Sequence, residues 1–394
     1  MKPIRATACV VSALAASLAA CGGGSNVPGP APGGPHVSAP PASAAPVAAV
    51  STSPSPAPLV GASASPPPSA APGSPASPAP SPVPSGFAPL DQAGPVLDVP
   101  ATKLAASLAC VGSLAPAAHT PVLLVPGTDT IPSVDFSWNY ERDFAAGNVP
   151  YCTVTLPDSA TNDIQIAGEY VVSAIRTMYA QTGAKIDVVG WSQGGMVPRW
   201  ALRFWPDTRA MVDDVVGLAP SNHGTVVADT ACRTTCTAAN WQQRSQPNSH
   251  FMQALNSYAE TFAGISYTNV YSHTDEVVQP NADASGSSSL HTGNGSIANV
   301  GVQDVCPADV ADHFATGTYD AVAYAIANDA LAHAGPAVAS RIPATVCAQA
   351  YQPGVDPATF ATDDATLVGY VGQHANDSAS LPAEPPLAAY VFAR

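Results

Sequence analysis

Ser192 lies in the run Gly190, Trp191, Ser192, Gln193, Gly194, a G-x-S-x-G spacing. A serine hydroxyl is a weak nucleophile until a base takes its proton. This spacing presents it on a strained strand-to-helix turn, where the two glycines leave room for neighbouring backbone. The motif arises by chance in a chain rich in Gly and Ser, so its flanks decide. Lys185 to Gly190 reads as a strand, and Gly195 to Trp205 as a helix with Val197, Ala201, Leu202 and Trp205 on one face. Pro198 falls in the first turns of that helix, where a missing N–H costs little. The chemistry expected of Ser192 is acyl transfer.

A base and an acid should follow the nucleophile in the order Ser, Asp, His, beyond later strands. Of nine histidines, His36 falls in a proline-rich stretch, His119 precedes the nucleophile, His333 lies within a helical stretch and His374 in a sparsely patterned tail. His313 stands after the strand Ala298 to Val302 and before the helical stretch Tyr319 to Leu331, where an imidazole can face the serine; it is the expected base. Asp275 follows the strand ending at Tyr271 and is the expected acid. Asp312 is the tempting alternative, but neighbouring side chains on extended or loop backbone diverge. A tetrahedral oxyanion also needs two or three fixed donors, one from the residue after the nucleophile and one from the loop after the first strand. Gln193, through its backbone N–H, and Thr128 occupy those places.

The elements that must hold these residues are legible as short apolar runs. Val122 to Val125, Cys152 to Leu156, Ile186 to Val189, Val215 to Leu218, Asn269 to Tyr271 and Val300 to Val302 read as buried strands. Between the second and third, Ile166, Tyr170, Ala174 and Met178 recur at i, i+4. That spacing predicts a helix over Gln165 to Gln181, capped by Asn162 or Asp163 and stopped by Gly183. Strand, helix, strand implies a parallel sheet, and ligands in open α/β sheets bind at the carboxyl ends of the strands.

The whole chain of 394 residues carries a formal charge of −15, which excludes the basic footprint of a nucleic-acid binder. Hydrophobic residues make up 46%, yet no run approaches the 20 or so residues of a membrane span except near the start. There, Lys2 and Arg5 precede an uncharged stretch from Ala6 to Ala20, which reads as an export signal over residues 1–20. Leu18, Ala19, Ala20 and Cys21 resemble a bacterial lipobox, in which Cys21 is acylated. Membrane contact is then expected through that lipid anchor, at the outer membrane of a bacterial envelope; otherwise the chain is secreted. Residues 21–90 hold no Asp, Glu, Lys or Arg after Cys21, and nineteen prolines lie between Pro28 and Pro84, so this segment is expected to be a disordered linker. Residues 91–394 form the expected catalytic domain, and nothing in the sequence speaks to an oligomer.

Without Cys9 of the signal and the acylated Cys21, six of the eight cysteines remain: Cys110, Cys152, Cys232, Cys236, Cys306 and Cys347. In an oxidising compartment they allow three disulfides in about fifteen connectivities. Cys232 and Cys236 are close enough to close a local loop. No second cysteine pair or spaced histidine pair supports zinc, and neither a metal nor a cofactor is expected.

The runs Leu123 to Thr128 (LLVPGT), Trp191 to Gly195 (WSQGG), Thr274 to Pro280 (TDEVVQP) and Asp312 to His313 resemble the Candida antarctica lipase B family and its bacterial relatives, over about Ala105 to Cys347. The resemblance implies an α/β-hydrolase fold, a mostly parallel central sheet flanked by helices, and a triad of Ser192, Asp275 and His313 with Thr128 and Gln193 in the oxyanion hole. It also implies that Trp191 lines the alcohol-side pocket and that Cys110 pairs with Cys152 and Cys306 with Cys347. The chain departs from the yeast pattern in its full G-x-S-x-G. It departs again at Ala219 to Thr225, which replace a segment carrying an Asp, and in Asp229 to Ser257, which is expected to cap the pocket. The function so implied is a lipase or carboxylesterase acting on lipid or ester substrates. A polyester depolymerase is the nearest rival. A catalytically idle surface lipoprotein is the rival from another class, and the joint presence of Ser192, Asp275, His313 and both hole positions argues against it.

Overall fold

The computed structural model describes residues 86–114 and 119–394; the expected signal, Cys21 and nearly all of the linker lie outside them. Seven strands form one sheet in the order β1-β3-β2-β4-β5-β6-β7. They are β1 (Leu108–Val111), β2 (Val122–Val125), β3 (Tyr151–Val154), β4 (Ile186–Trp191), β5 (Val212–Leu218), β6 (Ser266–Tyr271) and β7 (Ser296–Gly301). All neighbours run parallel except β1, which lies antiparallel on β3. A parallel sheet is covered on both faces, and so its strands read as unbroken apolar runs: every residue of β2 and β4 is buried. This is the α/β-hydrolase fold, a mostly parallel sheet flanked by helices.

One face packs on the helices Ile164–Thr182 and Gln193–Phe204 through Val171, Ile175, Met196 and Trp200. The other packs on the helix Ala321–Ala332 through Val322, Ile326 and Ala330. The helix Ile164–Thr182 has its expected ends: Asp163 accepts the Gln165 N–H, and Gly183 closes it at φ 66°. Tyr170, Ala174 and Met178 of its expected stripe are buried, and Ile166 is the exception. Ile166 is 37% exposed, while Ile164, Val171 and Ile175 are fully buried.

Two parts of the chain carried no clear signal. The edge strand β1 exposes three of its four residues, so it shows no apolar run; the disulfide Cys110–Cys152 ties it to its exact register partner on β3. The tail forms a helix, Phe360–His374, that buries only Leu367, so the pattern there is faint. The chain then returns to pair Phe392 with Phe87. Ala88 is buried at 2%, so the packed body includes residues that composition alone assigns to the linker before Asp91. Disulfides Cys232–Cys236 and Cys306–Cys347 complete the set. Among the described residues no helix is long and apolar enough to cross a membrane.

Candidate active site

Ser192 joins β4 to the helix Gln193–Phe204 with φ 55° and ψ −121°, a conformation that costs a non-glycine residue about 1–3 kcal/mol. Its neighbours hold it there. The Ser192 N–H donates to Leu218 O of β5 at 2.8 Å, and its carbonyl accepts the Gly195 N–H at 3.0 Å. A Cβ on Gly190 would stand 1.9 Å from Gly194 O, and one on Gly194 would stand 2.1 Å from Val125 O. Both glycines of the motif are therefore demanded by backbone packed on backbone.

His313 opens the helix His313–Thr318. Its Nδ1 lies 3.0 Å from Asp275 Oδ2, and the two side chains are buried. The other carboxylate oxygen, Oδ1, accepts the N–H groups of Val277 at 2.9 Å and Val278 at 2.8 Å. Asp275 is thus locked by backbone on one oxygen and faces the imidazole with the other. A carboxylate beyond Nδ1 keeps the proton on that nitrogen and leaves Nε2 free to accept one. Burial pushes the His313 imidazolium down, but Asp275, through charge and hydrogen bond, and then Glu276 and Asp312 outweigh it and leave the pKa above its ordinary value. Glu276 is tied in directly, since its Oε2 accepts the His313 N–H at 3.1 Å.

Trp191 couples this pair to the serine turn. Its Nε1–H donates to His313 O at 3.2 Å, and the two rings sit 5.5 Å apart between centroids. Gly317, one turn further along the histidine's helix, makes room for the indole: a Cβ there would meet Trp191 Cδ1 at 2.2 Å.

On the other side of Ser192 runs the loop after β2. A Cβ on Gly127 would lie 3.5 Å from the Ser192 Cβ. The loop is shaped by the buried Asp135, whose carboxylate accepts the Gly127 N–H at 3.0 Å and the Thr130 hydroxyl at 2.6 Å. Burial pushes the Asp135 carboxyl up to about 7 against the pull of those two bonds. Asp129, at φ 65°, is also buried; burial and the nearby Asp377 raise its carboxyl to about 7, and its Oδ1 has no partner among the described residues. Thr128 Oγ1 accepts from Gln193 Nε2 at 3.1 Å and from Gln243 Nε2 at 2.9 Å.

Gln243 comes from the Asp229 to Ser257 segment and sits 115 positions from Thr128. Sequence reasoning gave it no role, and neither did it single out Asp129, Asp135 or Glu276. A polar contact across such a distance has no periodic signature. The other candidate histidines lie elsewhere: His119 is exposed, His333 caps the helix Ala321–Ala332 beside Asp329, and His374 bonds Asp377 at 2.8 Å. His36 lies outside the described residues. Among the described residues one group has a geometry that could hold a cation: Asp187, Asp213 and Asp214, at the amino ends of β4 and β5, whose ligand atoms lie within 4.8 Å of one another. It is at the opposite end of the sheet from Ser192, and Lys185 Nζ already meets Asp213 at 3.2 Å.

Residues 119–313 match the family model Lipase (class 2), a span that runs up to the candidate base. The chain is a homologue of Lipase B of Pseudozyma antarctica, 37% identical over 223 residues that make up 56% of this chain and 64% of that protein. The chain therefore spans somewhat under two thirds of that relative's length. The crystal structure of Aspergillus fumigatus lipase B superposes with a TM-score of 0.69 at 27% identity, over 79% of this chain and 77% of that one.

Proposed function

We propose that this chain hydrolyses carboxylic esters, acylglycerols among them, as a lipase or carboxylesterase working through an acyl-enzyme on Ser192. The observation that carries the reading is the buried contact between Asp275 Oδ2 and His313 Nδ1 at 3.0 Å, on a helix bonded to the residue that precedes the strained serine. The similarity to two lipases named B supports it.

In this mechanism His313 Nε2 takes the Ser192 proton as Oγ attacks the ester carbonyl carbon, and the carbonyl π electrons move onto oxygen. The oxyanion is met by the backbone N–H of Gln193 and by Thr128. Collapse breaks the bond to the alcohol oxygen, which leaves with the proton from the imidazolium. Water then attacks the acyl-enzyme, His313 again takes a proton, and a second collapse returns Ser192 and releases the carboxylic acid. Asp275 stays ionised throughout and holds Nδ1–H. Trp191 lines the pocket for the alcohol side.

A fluorophosphonate probe is expected to label the wild type and not Ser192→Ala, with p-nitrophenyl butyrate hydrolysis lost in the same variant. Residual turnover of about 10³- to 10⁴-fold over water is the expected floor. A variant labelled as well as the wild type removes Ser192 from the mechanism. A profile of p-nitrophenyl esters from acetate to palmitate, with emulsified triolein, separates lipase from esterase.

The three disulfides fit a chain that folds in an oxidising compartment, which supports export. The same reading makes Cys21 the acylated anchor of a tethered enzyme. Detergent phase partitioning of wild type and Cys21→Ser tests this, and both forms remaining in the aqueous phase rejects the anchor.

A further inference from the structure

A threonine hydroxyl has one proton to give and two lone pairs to fill. At Thr128 both lone pairs are taken: Gln193 Nε2 donates at 3.1 Å and Gln243 Nε2 at 2.9 Å. No acceptor is bonded to Thr128 Oγ1 among the described residues, so the proton is directed away from both amides. Thr128 is half-buried, on the loop that passes Ser192, whereas the two glutamines behind it are buried.

Each amide is oriented by a partner that permits one arrangement only. Gln193 Nε2 also donates to Ala160 O at 2.8 Å, and a carbonyl would repel the amide oxygen if the group turned over. Gln243 Nε2 also donates to Ala239 O at 3.4 Å, a carbonyl that can only accept, while its Oε1 takes the hydroxyl of Ser221 at 2.8 Å, which leaves its nitrogen to face Thr128. Ser221 itself is 1% exposed and belongs to the Ala219 to Thr225 segment.

We propose that Gln243, held by Ser221, is a positioning residue that commits the Thr128 hydroxyl proton to the oxyanion, so that this hydroxyl acts as a donor in addition to the backbone N–H groups of the hole. The proposal rests on the ester-hydrolase reading above. Its chemistry is directional. A glutamine nitrogen can only donate to Thr128, while a carboxylate in the same place can only accept, and it would draw the hydroxyl proton back from the substrate.

The test is a double-mutant cycle on p-nitrophenyl butyrate, with unfolding temperature recorded for every variant. Gln243→Glu is expected to lower kcat by about 10²-fold, the cost of one lost oxyanion donor, with KM nearly unchanged. Gln243→Leu only frees the hydroxyl to reorient and is expected to cost about 3- to 10-fold, the scale of one hydrogen bond. In a Thr128→Val background the further loss from Gln243→Glu is expected to shrink to about 3-fold or less, because the group it acts through is gone.

A merely structural Gln243 gives a different result: equal losses for Glu and Leu, repeated in full in the Thr128→Val background, which overturns the proposal. Ser221→Ala supplies a second route if the Gln243 variants do not fold. It removes the hydroxyl that holds Gln243 Oε1 and loosens the amide behind Thr128, and the expected kcat loss of about 3- to 10-fold should vanish in Thr128→Val. Persistence of that loss also overturns the proposal. A wild-type chain that hydrolyses no ester overturns both the functional reading and this inference, whereas normal wild-type turnover with a flat cycle overturns the inference alone.

Discussion

Asp275 and His313, 38 positions apart in the chain, meet side chain to side chain at 3.0 Å, while Asp312, the immediate neighbour of His313, turns its Oδ1 to the Ala315 N–H at 2.7 Å and caps the helix that His313 opens. Sequence adjacency and side-chain contact are therefore separated by the geometry of a helix start. Asp275→Asn should lower kcat by about 10⁴-fold, since it disturbs the tautomer that the carboxylate holds. Asp312→Asn should cost about threefold or less, because asparagine caps a helix nearly as well as aspartate. Steady-state kinetics of both variants decide the matter, and a larger loss at Asp312 reverses the two roles.

Activity should rise with pH along a limb set by His313, because only the neutral imidazole accepts the serine proton. That limb should lie above the ordinary histidine range, since the pKa is raised. Removing the charge of Glu276, which accepts the His313 N–H, withdraws part of the support for the imidazolium. Glu276→Gln should therefore move the limb to lower pH by roughly half a unit to one unit. A pH–rate profile of kcat/KM that does not shift, or that shifts upward, removes Glu276 from the electrostatics of the base.

The buried acid Asp129 should make stability fall between mildly acidic and neutral pH. Its carboxyl titrates near 3.8 when unfolded and near 7 when folded, so across that window the folded state binds more protons, and stability declines as pH rises. The full swing is on the order of 4 kcal/mol. Asp129→Asn keeps the shape and tolerates a positive φ, so its unfolding temperature should exceed that of the wild type by more at pH 8 than at pH 5. Equal differences at the two pH values would reject the assignment.

The parts of the site legible in the sequence are those with a local signature. The glycines flanking Ser192, the strand before it and the helix after it are contiguous in the chain and readable as one motif, although the room Gly194 leaves is for Val125 O of β2, and a short apolar run is enough to mark a strand buried on both faces. The helix Ile164–Thr182 was readable from its four-residue spacing and its capping residues, although Ile166 points out rather than in. Order along the chain singled out Asp275 and His313. Gln243, Ser221 and Asp135 are tied to the site by hydrogen bonds made only after the chain has folded, and as isolated polar residues they look in the sequence like any solvated position. The same holds for β1 and the helix Phe360–His374, whose faces are mostly exposed.

The pairing of Phe87 with Phe392 has a practical consequence for handling the molecule. Both sit beside the far end of the helix that starts at Gln193: Tyr390 packs on Trp205 at 5.0 Å between ring centroids, and Arg203 Nη2 donates to Ala88 O at 2.5 Å. Twelve helical residues at 1.5 Å each separate that end from the serine turn by about 18 Å. The described residues thus begin and end beside one end of that helix while Ser192 lies at the other. A fusion partner, purification tag or solid support joined just beyond Phe392 attaches beside this end of the helix and away from Ser192, and material immobilised there should retain the turnover of the free form.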